Sequence, residues 1–328
     1  MRYSIISAVW GAILLLTASC TTPGGTTVSP DNTIYFGEVW AYLMRGEEKE
    51  IKGNEPITDL CYFSASVSGT GRLGTVPAPP SFSGLKKLKR THIVITELSN
   101  ASLTHFCIRP DMPVRDKLIT DIIAASQRYD GVQIDFESVM RSDAALFHRF
   151  LSDLKKGLGE KILSIAVPAR RKDISNDPYD YKKISEIVDR VIIMAYDQHW
   201  STGDPGPVAS LPWCGEIIQY ARPRIPYDKL IMGVPLYGRA WQERSLNRAV
   251  RYSHIPGMLE ASRNGPVYSP ETGNYLEYEE KVKVKVYYDD IRSMSARLGM
   301  FRKERLKSVA FWRIGQGPPE LWNRIGTL

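Results

Sequence analysis

Eight apolar, β-branched runs recur along the chain, and they constrain the fold more than any other feature. Amphipathic stretches lie between several of them, such as the segment with Phe147, Phe150 and Leu154 at helical spacing. Alternating strands and helices indicate a parallel sheet with crossover helices, and eight strands predict an α/β protein closed into a (β/α)8 TIM barrel. An open, doubly wound sheet is the alternative. The runs occupy residues 34–43, 57–66, 92–99, 131–137, 162–169, 190–197, 230–238 and 308–315.

Three segments depart from a regular barrel. Residues 44–56 show no convincing first helix, and residues 65–83 form a loop rich in Gly and Pro. Between the seventh strand and its helix, residues 242–286 contain strand-like runs with a turn predicted at 272–274. We therefore predict a small α+β insertion between strand 7 and helix 7, on the upper face of the barrel.

The first 20 residues have the features of an export signal. Arg2 precedes an apolar run that is short for a membrane span, and the small residues Ala18 and Ser19 precede Cys20. Because this region is similar to a lipobox, we expect lipidation of Cys20, with plain secretion as the alternative. The protein is then a membrane-anchored lipoprotein of the bacterial envelope, in the periplasm or at the cell surface. Residues 21–33 predict a flexible tether, and residues 34–328 predict the barrel.

Composition narrows the classes of partner and cofactor. The formal net charge of +7 suits anionic partners such as bacterial envelope polymers, and an exported protein meets little nucleic acid. The five histidines are scattered and no CxxC pair occurs, so we expect no metal and no cofactor. If Cys20 carries lipid, Cys61, Cys107 and Cys214 can form at most one disulfide among themselves.

One strand carries its polar side chains on a single face. In residues 129–138, Gln133, Asp135 and Glu137 alternate with apolar residues. In a closed barrel these polar side chains point to the axis, and Glu137 lies uppermost at the carboxyl end of the strand, where active sites form. Asp130 and Gly131 precede them, and we expect Asp130 to hold the start of the strand. An edge strand with a solvated face fits the alternation equally well.

Four motifs resemble those of glycoside hydrolase family 18, the chitinase family, and they occur in the family's order. Residues 130–137, DGVQIDFE, are similar to the DGxxxDxE motif, and MAYD at 194–197 is similar to MxYD. GVPLYGRAW at 233–241 resembles the seventh-strand motif, and Trp312 takes the place of the eighth-strand tryptophan. The tract at 196–213 further resembles a bacterial subgroup of spore cortex-lytic and spore-envelope peptidoglycan hydrolases.

The resemblance implies a substrate-assisted reaction in which the sugar's own acetamido oxygen attacks the anomeric carbon. Glu137 is then the acid and afterwards the base, and Asp135 orients the acetamido group and stabilises its developing positive charge. For Trp312 and Tyr237, plain barrel packing is the alternative to a role in binding. The residues expected to bind the substrate are Gln133, Met194, Tyr196, Asp197, Tyr237, Arg239 and Trp312, with Trp312 as a hydrophobic floor beneath the sugar.

Gln133 is a departure from the family, since many relatives carry an aspartate at this position. An amide cannot share a proton with Asp135, but it can donate a hydrogen bond to the ionised carboxylate, and we expect this bond. We also expect ionised Asp135, two residues along the strand, to raise the pKa of Glu137 and keep it protonated near neutrality.

The expected function is that of a glycosidase that cleaves β-1,4 linkages at N-acetylglucosamine with retention of configuration. Peptidoglycan is the first expected substrate, and chitin oligosaccharides and N-glycans follow because they carry the same acetamido sugar. The alternative is a non-catalytic, carbohydrate-binding envelope lipoprotein. Retention of both Asp135 and Glu137 argues against this alternative, because binding alone does not require a proton donor.

Overall fold

The computed structural model describes residues 33–242, 245–279 and 283–328. The predicted export signal with Cys20 and nearly all of the predicted tether lie outside these residues. The strands are β1 (Ile34–Phe36), β2 (Glu38–Met44), β3 (Asp59–Ser66), β4 (Arg90–Glu97), β5 (Gly131–Phe136), β6 (Ile162–Pro168), β7 (Arg190–Met194), β8 (Leu230–Pro235), β9 (Tyr237–Gln242), β10 (Ser245–Arg251), β11 (Val267–Ser269), β12 (Gly273–Glu279), β13 (Lys283–Tyr288), β14 (Ser308–Trp312) and β15 (Ile325–Thr327). The helices are α1 (Ala101–Ile108), α2 (Pro113–Ser126), α3 (Ala144–Leu158), α4 (Tyr181–Ile187), α5 (Leu211–Ala221), α6 (Ile255–Ala261) and α7 (Ile291–Lys303).

Eight of these strands close into a parallel barrel, which confirms the predicted fold and excludes the open sheet. The strand order is β14-β2-β3-β4-β5-β6-β7-β8, and β14 pairs with both β2 and β8 to complete the ring. A short parallel pair, β1 with β15, lies outside the ring. Because the strands are parallel, all eight carboxyl ends open on the same side of the barrel.

The strands are buried on both faces, as the long apolar runs predict. All six residues of β5 are buried, and the ring of Phe136 lies 6.3 Å from that of Phe147 and 5.9 Å from that of Phe150 on α3. Burial of each such aromatic side chain stabilises the fold by roughly 1.5–3 kcal/mol. The residues that the sequence places at helical spacing therefore form the face of α3 that covers β5.

The first two crossovers lack an α-helix, which the sequence predicts for the first of them only. Only a 3-10 helix, Glu48–Glu50, lies between β2 and β3, and residues 67–89 between β3 and β4 form a loop. In the first crossover, Gly53 has a φ of +91°, a backbone conformation that L side chains rarely adopt and that is incompatible with a helix there.

The predicted insertion is a five-stranded antiparallel sheet of order β10-β9-β13-β12-β11, accompanied by α6. It begins at Tyr237, earlier than the predicted residue 242, because the motif at 233–241 is not one strand. The Leu236 N–H donates to the Trp312 carbonyl at 2.7 Å, and the chain then leaves the barrel for the new sheet. The turn lies at residues 270–272, two residues earlier than predicted, since Ser269 pairs with Gly273, whose φ is +81°.

The cysteines and histidines do not form a reactive cluster in the described part of the chain. Cys61, Cys107 and Cys214 are buried and free, so none of them forms the disulfide that the sequence left open. Among residues 33–242, 245–279 and 283–328, no group of His, Cys, Asp and Glu could hold a metal ion. The same residues include no helix that is long and apolar enough to cross a bilayer.

Candidate active site

A cavity of about 630 Å³ opens at the carboxyl end of the barrel. Side chains from the ends of β5, β7 and β14 meet there with one from β9 of the insertion. Tyr42, Phe63, Trp200 and Trp213 widen its aromatic wall. The predicted site residues that line it are Asp135, Glu137, Met194, Tyr196, Asp197, Tyr237 and Trp312.

The start of β5 is fixed by a hydrogen bond and by a close approach of backbone. Asp130 Oδ2 accepts from the Thr91 N–H at 2.8 Å, which ties β5 to β4 as predicted. A Cβ atom on Gly131 would lie 2.3 Å from His92 Nδ1 and 2.8 Å from the Ile162 carbonyl oxygen. Any side chain at position 131 would therefore displace β5, and the glycine holds the register of the acidic residues that follow.

Asp135 is a buried carboxyl group. Its side chain is 4% exposed, and its Oδ1 has no hydrogen-bond partner within the described residues. Burial, followed by the charge of Glu137, raises the pKa of Asp135 to about 8. This raised pKa favours the protonated form of Asp135 in the free site, in contrast to the ionised carboxylate that the sequence predicts.

Gln133 does not donate to Asp135, contrary to the prediction. Its side chain is fully buried, and its Nε2 donates to Ser164 Oγ at 3.3 Å. Gln133 and Ser164 are direct partners in the β5–β6 ladder, whereas residues two apart on one strand lie about 7 Å apart. Gln133 thus lies beneath the cavity and does not line it.

Glu137 follows β5 at the open end of the barrel, as predicted. Its N–H donates to the Glu97 carbonyl at 2.8 Å, and its side chain is exposed to the cavity. The cavity walls still withhold much bulk water, and this partial desolvation raises its pKa, followed by the charges of Asp197 and Glu97. The predicted direction of the shift is confirmed, but these causes replace the predicted charge of Asp135.

Asp197 is held by two donors from the insertion. The Tyr237 hydroxyl donates to Asp197 Oδ1 at 2.6 Å, and Arg239 Nη2 donates to the same oxygen. Asp197 has a φ of +57°, so the chain turns sharply as it leaves β7. Arg239 is buried behind Asp197 and does not line the cavity; its guanidinium lies 5.3 Å from the ring centroid of Trp200.

Trp312 and Tyr196 form part of the aromatic wall. Trp312 meets the rings of Tyr42 and Phe63 edge-on, with centroids 5.2 and 5.0 Å away, so it both packs on the barrel and lines the cavity. A Cβ atom on Gly233 would lie 2.9 Å from Tyr196 Cε1, so the glycine leaves room for this ring.

Several cavity residues escaped the sequence reasoning. Tyr42 and Phe63 stand near the carboxyl ends of β2 and β3, and their positions in predicted barrel strands were the signal available. Trp200 and Trp213 lie in the tract at 196–213, and the resemblance of this tract to a bacterial subgroup was the signal available for them. Trp200 is 56% exposed, which marks it as a rim residue.

A closed barrel whose strand ends carry one buried and one accessible carboxyl group beside aromatic walls defines a sugar-hydrolase type of site. The family described as Glycosyl hydrolases family 18 matches residues 113–317, so the chain belongs to this family of chitinase-type hydrolases.

Relatives from Bacillus are similar over most of the barrel. The uncharacterized glycosylase YvbX of Bacillus subtilis strain 168 is 29% identical over 64% of this chain, and the cortical fragment-lytic enzyme of Bacillus anthracis is 28% identical over 83%. The chain spans 64% and 68% of the lengths of these two relatives. The crystal structure of the spore cortex-lytic enzyme SleL of Bacillus cereus has a TM-score of 0.78 and 25% identity, covering 90% of this chain and 76% of SleL.

Proposed function

We propose that the protein hydrolyses β-1,4 linkages at N-acetylglucosamine in peptidoglycan, by a retaining, substrate-assisted mechanism. The observation that carries this proposal is the pairing of buried Asp135 with cavity-exposed Glu137 on one strand that ends in an aromatic-walled cavity. Such a pair offers two carboxyl groups in different environments, which suits them to different roles.

Glu137 is the general acid in this mechanism. Partial burial raises its pKa, which favours the protonated form, and Glu137 donates that proton to the glycosidic oxygen while the acetamido carbonyl oxygen attacks the anomeric carbon. The leaving sugar departs and an oxazolinium ion remains. Glu137, now ionised, removes a proton from the water that opens this ion, and the acid is restored.

Asp135 orients the acetamido group. Its Oδ1, without a partner in the described residues, accepts the acetamido N–H and so turns the carbonyl oxygen toward the anomeric carbon. The positive charge that develops on the acetamido group lowers the pKa of Asp135, which releases its proton to solvent in the cavity, and the resulting carboxylate stabilises that charge. Tyr196 and Asp197 contact the reacting sugar, and Trp312 supports its apolar face.

Peptidoglycan is favoured over other acetamido polymers by two lines of support. The relatives include enzymes named for cortical fragments and spore cortex, and the net charge of +7 suits an anionic wall polymer. Chitin and N-glycans present the same reacting sugar, so they are the alternatives to be compared directly.

The test is a substrate panel with matched variants. The purified protein is incubated with peptidoglycan glycan chains, chitin oligosaccharides and an N-glycan, and products are identified by mass. We expect cleavage of peptidoglycan, and Glu137→Gln should lower kcat by about 10²–10⁴, the range for loss of a general acid. Glu160→Gln, at an exposed position, is the control and should keep full activity.

Two outcomes would contradict this proposal. Equal activity in Glu137→Gln and the unsubstituted protein would exclude the assigned acid. Sugar binding without products from any polymer would favour the non-catalytic, carbohydrate-binding alternative.

We further propose that the protein is exported and anchored by lipid on Cys20. The support is sequence alone: an apolar run followed by Ala18, Ser19 and Cys20. In a bacterial host, the protein should fractionate with membranes, and Cys20→Ser should release it. A Cys20→Ser variant that remains in the membrane fraction to the same extent would contradict lipid anchoring.

A further inference from the structure

A second cavity, of about 230 Å³, lies in the insertion and the start of α7. It shares no lining residue with the catalytic cavity among those described. Tyr287 pairs with Arg239, so the next residue, Tyr288, points to the opposite face of the sheet. Asn274, the partner of Tyr288, shares that face. The second cavity is therefore on the side of the insertion sheet that faces away from Arg239.

Asn274 is one of the residues that line this cavity, and it carries a buried donor without a partner. Asn274 is 3% exposed, and its Nδ2 has no hydrogen-bond partner within the described residues. Buried polar groups have a hydrogen-bond partner in the great majority of cases, and a buried group without a partner destabilises the fold. A ligand oxygen in the cavity would satisfy Asn274.

The walls combine aromatic rings with a carboxylate. The rings of Tyr252 and Tyr288 lie 6.3 Å apart at 59°, and Tyr268 carries the guanidinium of Arg292 over its face. Asp290 caps α7, its Oδ1 accepting from the Ser293 N–H at 2.9 Å and from the Ser293 hydroxyl at 3.2 Å, and the carboxylate retains further acceptor sites beyond these two bonds. Apolar surface, an acceptor and a free donor together suit a ligand with a hydrophobic face, hydroxyl groups and a carbonyl oxygen.

The size of the cavity limits the ligand to one sugar ring. Its volume of about 230 Å³ is below the roughly 300–1,000 Å³ of sites for drug-sized ligands, which excludes an enclosed oligosaccharide. A single ring of a longer chain can enter while the chain continues outside.

We propose that this cavity is a second carbohydrate site, which binds one N-acetylated hexosamine unit of the polymer. Asn274 Nδ2 donates to the acetamido carbonyl, sugar hydroxyls donate to Asp290, and Tyr252 and Tyr288 pack on the apolar face of the sugar. The site holds the polymer while the catalytic cavity acts elsewhere on it. The ligand class is taken from the proposed function, but binding here requires no turnover.

The direct test is an NMR titration of the Glu137→Gln protein, which lacks the proposed general acid and so reports binding separately from turnover. The side-chain amide signals of Asn274 are identified as the pair missing in Asn274→Ala. We expect N-acetylglucosamine to shift this pair with saturation, and glucose, which lacks the acetamido group, to shift it far less. No shift while the Trp312 indole signal responds would overturn the second site and leave the catalytic proposal intact.

Retention on insoluble peptidoglycan supplies the second readout. Asn274→Ala should raise the apparent Kd about tenfold, the factor that corresponds to about 1.4 kcal/mol, and Tyr268→Ala, at the rim, should also weaken retention. Asn323→Ala, at an exposed position, is the matched control. All three variants should keep kcat/KM on a short soluble oligosaccharide. Unchanged retention in both site variants, or binding of a wall peptide in place of the sugar, would overturn the proposal.

Discussion

Replacement of Asp135 by Asn should stabilise the protein progressively as pH rises. The folded state raises the pKa of this carboxyl group from 3.8 to about 8, whereas the unfolded chain releases the proton near its ordinary value. Between these two values the folded state binds a proton that the unfolded state does not, so the stability of the unsubstituted protein falls as pH increases. Asn cannot ionise in either state, and this loss disappears.

The size of this pH-dependent destabilisation follows from the one proton that the folded state binds and the unfolded state does not. Each pH unit inside the window corresponds to about 1.36 kcal/mol, so burial of Asp135 costs about 4 kcal/mol at pH 7. The advantage of Asp135→Asn should therefore grow by about 3 kcal/mol between about pH 5 and pH 7. A buried amide carries its own desolvation cost, but that cost is independent of pH and cancels in the comparison.

Urea denaturation of both proteins at the two pH values measures this change. Asp228→Asn, at an exposed position, is the control and should give the same offset at both pH values because its carboxylate is solvated in both states. An offset for Asp135→Asn that does not vary with pH would refute the reasoning, since it would mean that Asp135 is ionised in the folded site.

Three further predictions test the neighbouring features. Gly131→Ala should destabilise the fold by more than about 2 kcal/mol because its Cβ clashes with two neighbours. Gly299→Ala should stabilise the fold by about 0.5–1 kcal/mol because this position in α7 has open space around it. Thermal melting of the two variants checks both values. Gln133 cannot titrate, so Gln133→Asp should add a second ionisation to the acid limb of the pH–rate profile. An acid limb that does not change would contradict this account of position 133. The alkaline limb of kcat/KM should lie above the pH expected for an ordinary glutamic acid because burial raises the pKa of Glu137; a limb near pH 4 would oppose this.

The sequence predicted the barrel because its information is local and periodic. Each strand is a continuous apolar run, and the alternation in residues 129–138 together with the predicted barrel placed Glu137 at the carboxyl end of β5. The insertion was placed correctly between the seventh barrel strand, which is β8, and the helix α7, but its first residue was predicted too late in the chain. The change from β8 to β9 occurs at Leu236 through a bond to Trp312, a residue far along the chain, and no local pattern signals it.

The electrostatics of the site could not be predicted from spacing along one strand. The shared face of the strand predicted that the charge of Asp135 would raise the pKa of Glu137. It also predicted that Gln133 would donate a hydrogen bond to Asp135. The partner of Gln133 is instead Ser164 on the adjacent strand, and Asp197, which follows β7, contributes to the upward pKa shift of Glu137. Such contacts depend on barrel closure and register, which bring distant segments together.

The stereochemistry of hydrolysis tests the central claim most directly. Proton NMR of the reducing end, recorded during cleavage of a soluble glycan by the purified protein, shows which anomer is released before mutarotation. Attack by the acetamido oxygen followed by water inverts the anomeric carbon twice, so the β-anomer should appear first. Initial release of the α-anomer would contradict the assignment of Glu137 and Asp135 to a substrate-assisted reaction.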